Sequence, residues 1–292
     1  MKIPIFNLIL ISSIFIFLLS FLIHPDTAIT QDLGRHLKMG EIIWQTKSVP
    51  KTNLFAYTFP DFPFINHHWL PEVVFFLVNQ AGINTLNLFK ILIITTSYII
   101  VYKLASKKAG WLTISVVSLL FLPVAQERTE IRPEIFSFLF FSLYLLILGT
   151  GKKTKLIWLL PLIQLVWVNS HLYFFVGPVL FSFFFFSQLM SREKTYQLPK
   201  LLLVGLLILL VNLINPNGLK GATYPLAVFN NYGYQIVENQ SPFFLEKIGY
   251  FPYITFFKLC LGLLVISFTL NFKKINFFNF CLAVFLSIWL SF

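Results

Sequence analysis

The chain has 292 residues, 57% of them apolar types and only 11% charged, with 36 phenylalanines and a mean hydropathy of +0.79. An ordinary soluble domain carries roughly 25% charged residues, so this composition excludes a soluble globular enzyme. Uncharged Phe/Leu/Ile runs of this length have a favourable place only in lipid or against one another. The formal charge of +11 invites a nucleic-acid or anionic ligand, but in a membrane chain a basic excess reports topology first.

In chain order, residues 3–23 form the first apolar run behind Lys2, long enough to span hydrocarbon and longer than a signal-peptide core. It reads as an uncleaved first span with a cytoplasmic N-terminus. Residues 24–71 form a polar and aromatic first extracytoplasmic loop, punctuated by Pro25, Pro50, Pro60, Pro63 and Pro71. Within it residues 31–45 suit an amphipathic helix, with Leu33, Leu37, Ile42 and Trp44 available to lie on the membrane surface. Residues 69–80 predict a second interfacial helix, too short to span alone. Further spans are expected at 83–102, 109–125, 135–148, 156–168, 172–190, 198–214, 254–270 and 275–292, with a second polar outer loop at 215–252. The expected architecture is one all-α, polytopic transmembrane bundle over residues 1–292, of about nine spans. Internal repeats of the kind that build many transporters are absent. Cys260 and Cys281 fall inside apolar runs, where a thiol behaves as a small hydrophobe.

Loop charges set the orientation. With the N-terminus inside, the cytoplasmic connections hold Lys2, Lys103, Lys107, Lys108, Lys152, Lys153, Lys155, Arg192, Lys194, Lys200, Lys273 and Lys274 against a single acid, Glu193. Topology therefore accounts for the basic excess, and no nucleic-acid partner is needed. The remaining acids and the histidines, His24, His36, His67, His68 and His171, fall on or near the outer face. Any general acid or base must come from there.

Four groups of residues on that face carry candidate chemistry. Asp32 and His36, spaced i,i+4, would share one helix face, with Asp32 the choice for a catalytic carboxylate and two solvated surface groups the plainer reading. His68 and Glu72 repeat that spacing beside His67. Metal binding there is conceivable, but a second histidine of the zinc-protease type is missing and an interfacial Trp69 is ordinary anchoring, so no metal is assigned. Residues 127–134 include Arg128 and Arg132, whose planar guanidiniums could clamp a phosphate at headgroup depth, or simply pair with Glu127, Glu130 and Glu134. Asn169 and His171 lie in a short turn and are candidate substrate contacts, although a tight turn favours Asn and Ser for backbone reasons alone. Mid-span polarity is slight, with Gln164 the clearest case, which counts against a transport path.

These features, in this order, resemble the membrane-embedded glycosyltransferases of the GT-C superfamily, especially bacterial relatives of protein mannosyltransferases and lipid A sugar transferases. The likeness runs over residues 1–245: Asp32, His36, Leu37 and Gly40; Pro50; the stretch from Asn53 to Thr58; His68-Trp-Leu-Pro-Glu; Arg132-Pro133 opening a span; Trp167, Asn169 and His171; and Asn215-Pro-Asn-Gly. The resemblance implies a sugar donor on a polyprenyl phosphate, a glycan, lipid or protein acceptor, and transfer outside the cytoplasm in a multi-pass cell-membrane protein. It further implies Asp32 as general base, assisted by His36, with His67, His68, Glu72, Arg128, Arg132, Asn169 and His171 as substrate contacts. No cofactor is expected, a divalent metal is left open, and no glycine-rich phosphate loop is present. Two features depart from the pattern: the chain ends in an apolar run, and the stretch from Glu238 to Pro242 lacks the expected Trp. A transporter or flippase of lipid-linked material and a non-catalytic assembly subunit are the competing expectations.

Overall fold

A computed structural model describes residues 5–23, 32–59, 61–126, 128–149, 155–191, 195–228, 240–249, 251–272 and 275–289. Expectations placed on His24, Glu127, Glu238 and Asn239, on Lys2, Lys152, Lys153, Arg192, Glu193, Lys194, Lys273 and Lys274, and on much of the second outer loop fall outside them.

The described residues are helical, with no strand. In chain order the α-helices are α1 Ile5–Leu22, α2 Leu33–Thr46, α3 Trp69–Asn79, α4 Ile83–Ser106, α5 Trp111–Gln126, α6 Glu134–Gly149, α7 Leu160–Val168, α8 Val176–Met190, α9 Leu198–Val211, α10 Gly218–Val228, α11 Pro242–Ile248, α12 Pro252–Asn271 and α13 Phe277–Trp289. Short 3-10 segments, Lys155–Leu159 and Leu172–Phe175, lead into α7 and α8. Prolines open α7, α9, α11 and α12 in the first turn, where a missing N–H costs nothing, whereas Pro123 and Pro225 lie inside α5 and α10.

Each of the expected spans coincides with an apolar helix, but among the described residues four segments are both long and apolar enough to cross a membrane: Ile5–Leu22, Ile83–Ser106, Leu172–Met190 and Pro252–Asn271. The others are shorter. Sixteen residues, as in α5 or α6, rise about 24 Å at 1.5 Å each, less than the roughly 30 Å of hydrocarbon. α1 is apolar all round and buries only Ile14, Leu18 and Leu22, leaving Ile5, Phe6, Leu8, Ile9 and Ile16 exposed on its outside. A helix of that kind needs lipid for its uncovered sides.

Three apolar clusters hold the helices. One joins α1, α4 and α5 through Ile14, Leu18, Leu22, Tyr102, Ile114 and Leu122. A larger one joins α6, α7, α8, α9 and α13 around Tyr144, Trp167, Leu180 and Val204. The third, with Leu33, Phe75, Leu86, Ile93, Ile131 and Ile135, fixes the α2–α3 pair onto α4 and α6. α2 therefore does not lie on the membrane through Leu33, as its amphipathic pattern suggests. Its buried face is Leu33, His36, Met39, Gly40 and Ile43, and Trp44 is what it leaves outside.

Gly40 makes that packing close. A Cβ at this position would overlap the carbonyl oxygen of Glu72 and stand 2.9 Å from Cβ of Phe76, so only a hydrogen side chain lets α2 touch α3 there. α2 then stops at Lys47, in the left-handed region at φ 53°, with its N–H returned to Ile43 O.

Polar groups inside the bundle are of two kinds. Gln164 is fully buried and bonded throughout: its Nε2 donates to Asn212 Oδ1 (2.7 Å) and Phe174 O (3.0 Å), and its Oε1 accepts from Tyr144 OH (2.9 Å). It ties α6, α7 and α9 together. Lys90, unremarked in the sequence, is the sharper case. It lies fully buried about 10 Å along α4, and its Nζ donates to Leu22 O at 3.2 Å. The ammonium thereby caps the last turn of α1, where carbonyls are unpaired and the helix dipole is negative.

Candidate active site: an ion cluster beside a histidine group

Asp32 stands at the N-cap position of α2 and Arg35 one turn inside it. The Asp32 carboxylate lies between two guanidiniums, with Oδ1 at 3.6 Å from Arg35 Nη2 and Oδ2 at 3.9 Å from Arg132 Nη2. Both separations exceed hydrogen-bonding length, so the carboxylate feels two positive charges while its lone pairs stay open. Its side chain is 40% exposed; that of Arg132 is 18% exposed.

Arg132 reaches this place because the segment ahead of α6 folds back on itself. Arg132 N–H donates to Glu130 O, Ile135 N–H to Arg132 O, and buried Ile131 anchors the turn in the third cluster. Arg132 Nε pairs with Glu130 Oε2 at 2.7 Å, and Arg128 Nη1 with Glu134 Oε2 at 3.8 Å. The two arginines are thus held by separate acids, and Arg132 faces Asp32. Pro133 precedes α6, whose first residue is Glu134.

One turn along α2 from Asp32, His36 points inward. Its Nδ1 lies 2.9 Å from Glu72 Oε1; an ionised carboxylate can only accept, which puts the proton on Nδ1. The other carboxylate oxygen, Oε2, accepts from Asn66 Nδ2 at 2.6 Å. Asn66 in turn accepts the His68 N–H through Oδ1 at 2.9 Å, an Asx turn that starts α3. Glu72 thus pairs with His36 across two helices, not with His68 along one. The four-residue spacing carries no sign of this contact, because it depends on the close approach at Gly40, one turn away.

The remaining histidines gather on this pair. Ring centroids are 5.8 Å apart for His36 and His68, 4.0 Å for His67 and His68, and 5.3 Å for His68 and His171, the last two rings being stacked. His67 Nδ1 donates to Ile65 O at 3.1 Å, and its ring stands 5.2 Å from that of Tyr224 on α10. His171 Nδ1 accepts from Tyr173 N–H (3.4 Å) and from Ser137 Oγ (2.9 Å), while that hydroxyl accepts Trp167 Nε1–H (2.9 Å). With Nδ1 an acceptor, the proton of neutral His171 belongs on Nε2.

Burial holds these imidazoles neutral. It pushes His67 down to about 4 against the hydrogen bond to Ile65, with help from the charges of Arg35 and His36. Burial first, then the neighbouring histidines, holds His68 well below the ordinary imidazole value, and His171 is lowered the same way, with Arg128 adding to the effect. Neutral imidazoles are the form that ligates metals, yet among the described residues no group of three His, Cys, Asp or Glu side chains is arranged to hold a metal ion. Glu72 takes the Nδ1 side of the His36 ring, and Asn66 takes the second Glu72 oxygen.

Asn169 braces the site. Its Nδ2 donates to Leu165 O (2.8 Å) and Ile214 O (2.9 Å), its Oδ1 accepts Trp69 Nε1–H (2.9 Å), and its carbonyl accepts Leu70 N–H (3.2 Å). It ties α3 to the turns after α7 and α9. Asn215 shapes the latter turn, donating to Asn212 O and Gly218 O and accepting Asn217 N–H. A small cavity lies between the segment ahead of α3 and the turn after α9, lined by Asn66, His67, Trp69, Asn215 and Asn217 among others.

The structure therefore brings Asp32, His36, His67, His68, Glu72, Arg132 and His171 into one region, with Asn169 behind them and Arg128 held beside Glu134. Sequence reasoning missed Asn66, Ser137, Gly40 as a packing residue, and Lys90. Comparison of the chain with known protein families, with curated proteins and with solved structures finds no match in any of the three.

Proposed function

We propose that this chain is a membrane glycosyltransferase that moves a sugar from a polyprenyl-phosphate donor to an acceptor hydroxyl on the extracytoplasmic side. The observation that carries the reading is Asp32: a half-exposed carboxylate held between two guanidiniums at the end of apolar helices, where an amphiphilic phosphate would lie. The full topology of about nine spans with a cytoplasmic N-terminus, the membrane location, and a glycan, lipid or protein acceptor belong to the same proposal.

In this mechanism the acceptor hydroxyl attacks the anomeric carbon as the bond from that carbon to the phosphate oxygen breaks. The hydroxyl proton passes to Asp32, and the phosphate leaves with the bonding electrons. Charge building on it is met by Arg132, close enough to exchange its contact with Asp32 for one with phosphate. The His36–Glu72 pair orients α2 and so holds Asp32 in place. His67, His68 and His171 form an uncharged wall of neighbouring rings beside the ions, and His67 with Tyr224 gives aromatic faces toward the sugar side.

The test is incubation of purified protein in phospholipid vesicles with radiolabelled polyprenyl-phosphate hexoses and pentoses, following label lost from the carrier. Wild type should release label in the presence of an acceptor extract, and Asp32→Asn should abolish release while inserting and folding normally. Retained turnover in that variant would refute the assignment.

A second reading, movement of lipid-linked material, is favoured by one feature of α4. Asn87 Oδ1, Thr95 Oγ1, Tyr98 OH and Tyr102 OH are buried there without a hydrogen-bond partner, and with Lys90 they fall within about 140° of one helix face. Ser118 and Ser115 of α5 face the two tyrosines without an aligned bond. Ionisable and unsatisfied groups inside a span often mark a transport path. Lys90 already has a structural task at the end of α1, however, so the enzymatic reading stands first. Translocation of a labelled lipid without cleavage of its phosphosugar bond would reverse that order.

A further inference from the structure

Between α2 and α3 the chain closes into a hairpin-like loop whose apolar tip has no protein to rest on. Asn53 N–H donates to Phe62 O at 3.0 Å and Phe64 N–H to Lys51 O at 2.8 Å, and Thr52 and Pro63 form an isolated antiparallel bridge. The neck is thereby fixed, and the side chains beyond it are turned outward. From Asn53 to Phe59 there is no charged residue. Leu54, Phe55, Tyr57, Phe59 and Phe62 are all exposed, Tyr57 completely, at 100%. Scattered exposed apolar side chains need no explanation, but five on one short loop form a patch that water disfavours.

Two observations commit the occupant to lipid. The first is continuity. The loop is attached, through α2 and α3, to the end of the bundle where α1 finishes and α4 starts, and Lys90 Nζ bonded to Leu22 O shows that these two ends coincide. Both helices are of membrane length and carry exposed apolar side chains, Ile16 on α1 and Leu88 and Leu92 on α4. The second is charge. Over residues 44–64 Lys47 and Lys51 face a single acid, Asp61, and both lysines flank the neck. Lys47 Nζ lies 3.6 Å over the exposed Trp44 ring, a pairing of amphipathic groups suited to headgroup depth.

We propose that the tip, through Leu54, Phe55, Tyr57, Phe59 and Phe62, inserts into the membrane leaflet on the Asp32 side of the bundle, with Lys47 and Lys51 at its phosphate level. The loop would then anchor α2 and α3, and with them the ion cluster, at a fixed depth. This inference rests on the membrane character of the helices and not on sugar transfer.

The experiment places a nitroxide at Tyr57→Cys in the full chain, with Cys260→Ala and Cys281→Ala to remove competing thiols. The protein is reconstituted in vesicles of phosphatidylethanolamine and phosphatidylglycerol. Collision of the label with oxygen, which concentrates in lipid, is compared with collision with a water-soluble nickel chelate. Insertion predicts that oxygen dominates, as at a Leu88→Cys control on α4, and that Phe59→Cys behaves alike. Dominance of the nickel chelate, as at a Gly34→Cys control, would overturn the proposal, and so would a label at both sites shielded from both agents, which would place the tip against protein. Gly34 has nothing within 4 Å of its added Cβ, so that control is tolerated.

Discussion

Replacing Gly40 by Ala should separate α2 from α3 and release His36 from Glu72. The new methyl group overlaps the Glu72 carbonyl oxygen and sits 2.9 Å from Phe76 Cβ, where carbon atoms prefer about 3.5–4.0 Å. Neither obstacle can rotate away, because both belong to the backbone or its first carbon. The helices must part by on the order of 1 Å, which carries the His36–Glu72 bond from 2.9 Å past the usual limit near 3.2 Å. Overpacking of this kind costs about 1–3 kcal/mol, and a stranded buried partner about 1–3 kcal/mol more. The expected loss is therefore about 2–6 kcal/mol. Gly34→Ala, on the same helix, is the internal control: its Cβ meets open space, and removing a helical glycine gains up to about 1 kcal/mol. Unfolding midpoints of both variants in mild detergent, followed by helical circular dichroism, give the comparison. If Gly40→Ala proved as stable as Gly34→Ala, the close α2–α3 contact, and the site geometry derived from it, would be wrong.

Arg132→Ala should weaken use of the phosphate-linked donor while leaving the fold intact, since its partners Glu130 and Asp32 are both partly exposed; an unchanged donor KM and rate would count against a phosphate role. Gln164→Leu leaves Tyr144, Asn212 and the Phe174 carbonyl without their shared partner, for a loss of about 2–5 kcal/mol, read as a lowered unfolding midpoint; a neutral result would contradict the bracing role. Stability should also depend on pH through the histidines. Burial lowers His67, His68 and His171 in the folded chain, so below about pH 6.5 the unfolded chain binds more protons than the folded one. Stability is therefore full above that pH and declines as pH falls, for His67 until about 4, by at most about 1.4 kcal/mol per pH unit for each ring. Glu41, lowered by the Lys38 ammonium, acts in the same direction, so the informative quantity is the difference from His68→Gln, which should flatten the slope between pH 6.5 and about 4; parallel slopes would deny His68 a buried neutral state.

The helices could be read from the chain because their cause is local: uncharged apolar runs bounded by Pro, Gly and Lys. What local pattern could not supply was which face of a helix meets which neighbour. The residues expected to lie on the membrane from α2 included Leu33, yet it is buried against α3 and α4; an amphipathic helix shows that one side is apolar, not what covers it. Glu72 shares a four-residue spacing with His68, yet it bonds to His36, thirty-six residues away, through a contact that Gly40 permits. Asn169 had the sequence marks of a turn former, and its hydrogen bonds to Leu165 O and to Ile214 O, in a separate turn, tie two distant parts of the chain together. Lys90 did leave a signal, a lone ammonium in an apolar run, but its reason, the open carbonyl of Leu22, lies on another helix.

The sidedness of Asp32 tests the central claim most directly. A single cysteine at Gly34, two residues away and open to solvent, in a chain with Cys260 and Cys281 replaced by Ala, can be challenged in intact cells with a membrane-impermeant maleimide. Labelling without permeabilisation is the predicted result, because the ion cluster is assigned to the extracytoplasmic face. Labelling only after the membrane is opened would put Asp32 on the cytoplasmic side and contradict both the topology and the proposed transfer reaction.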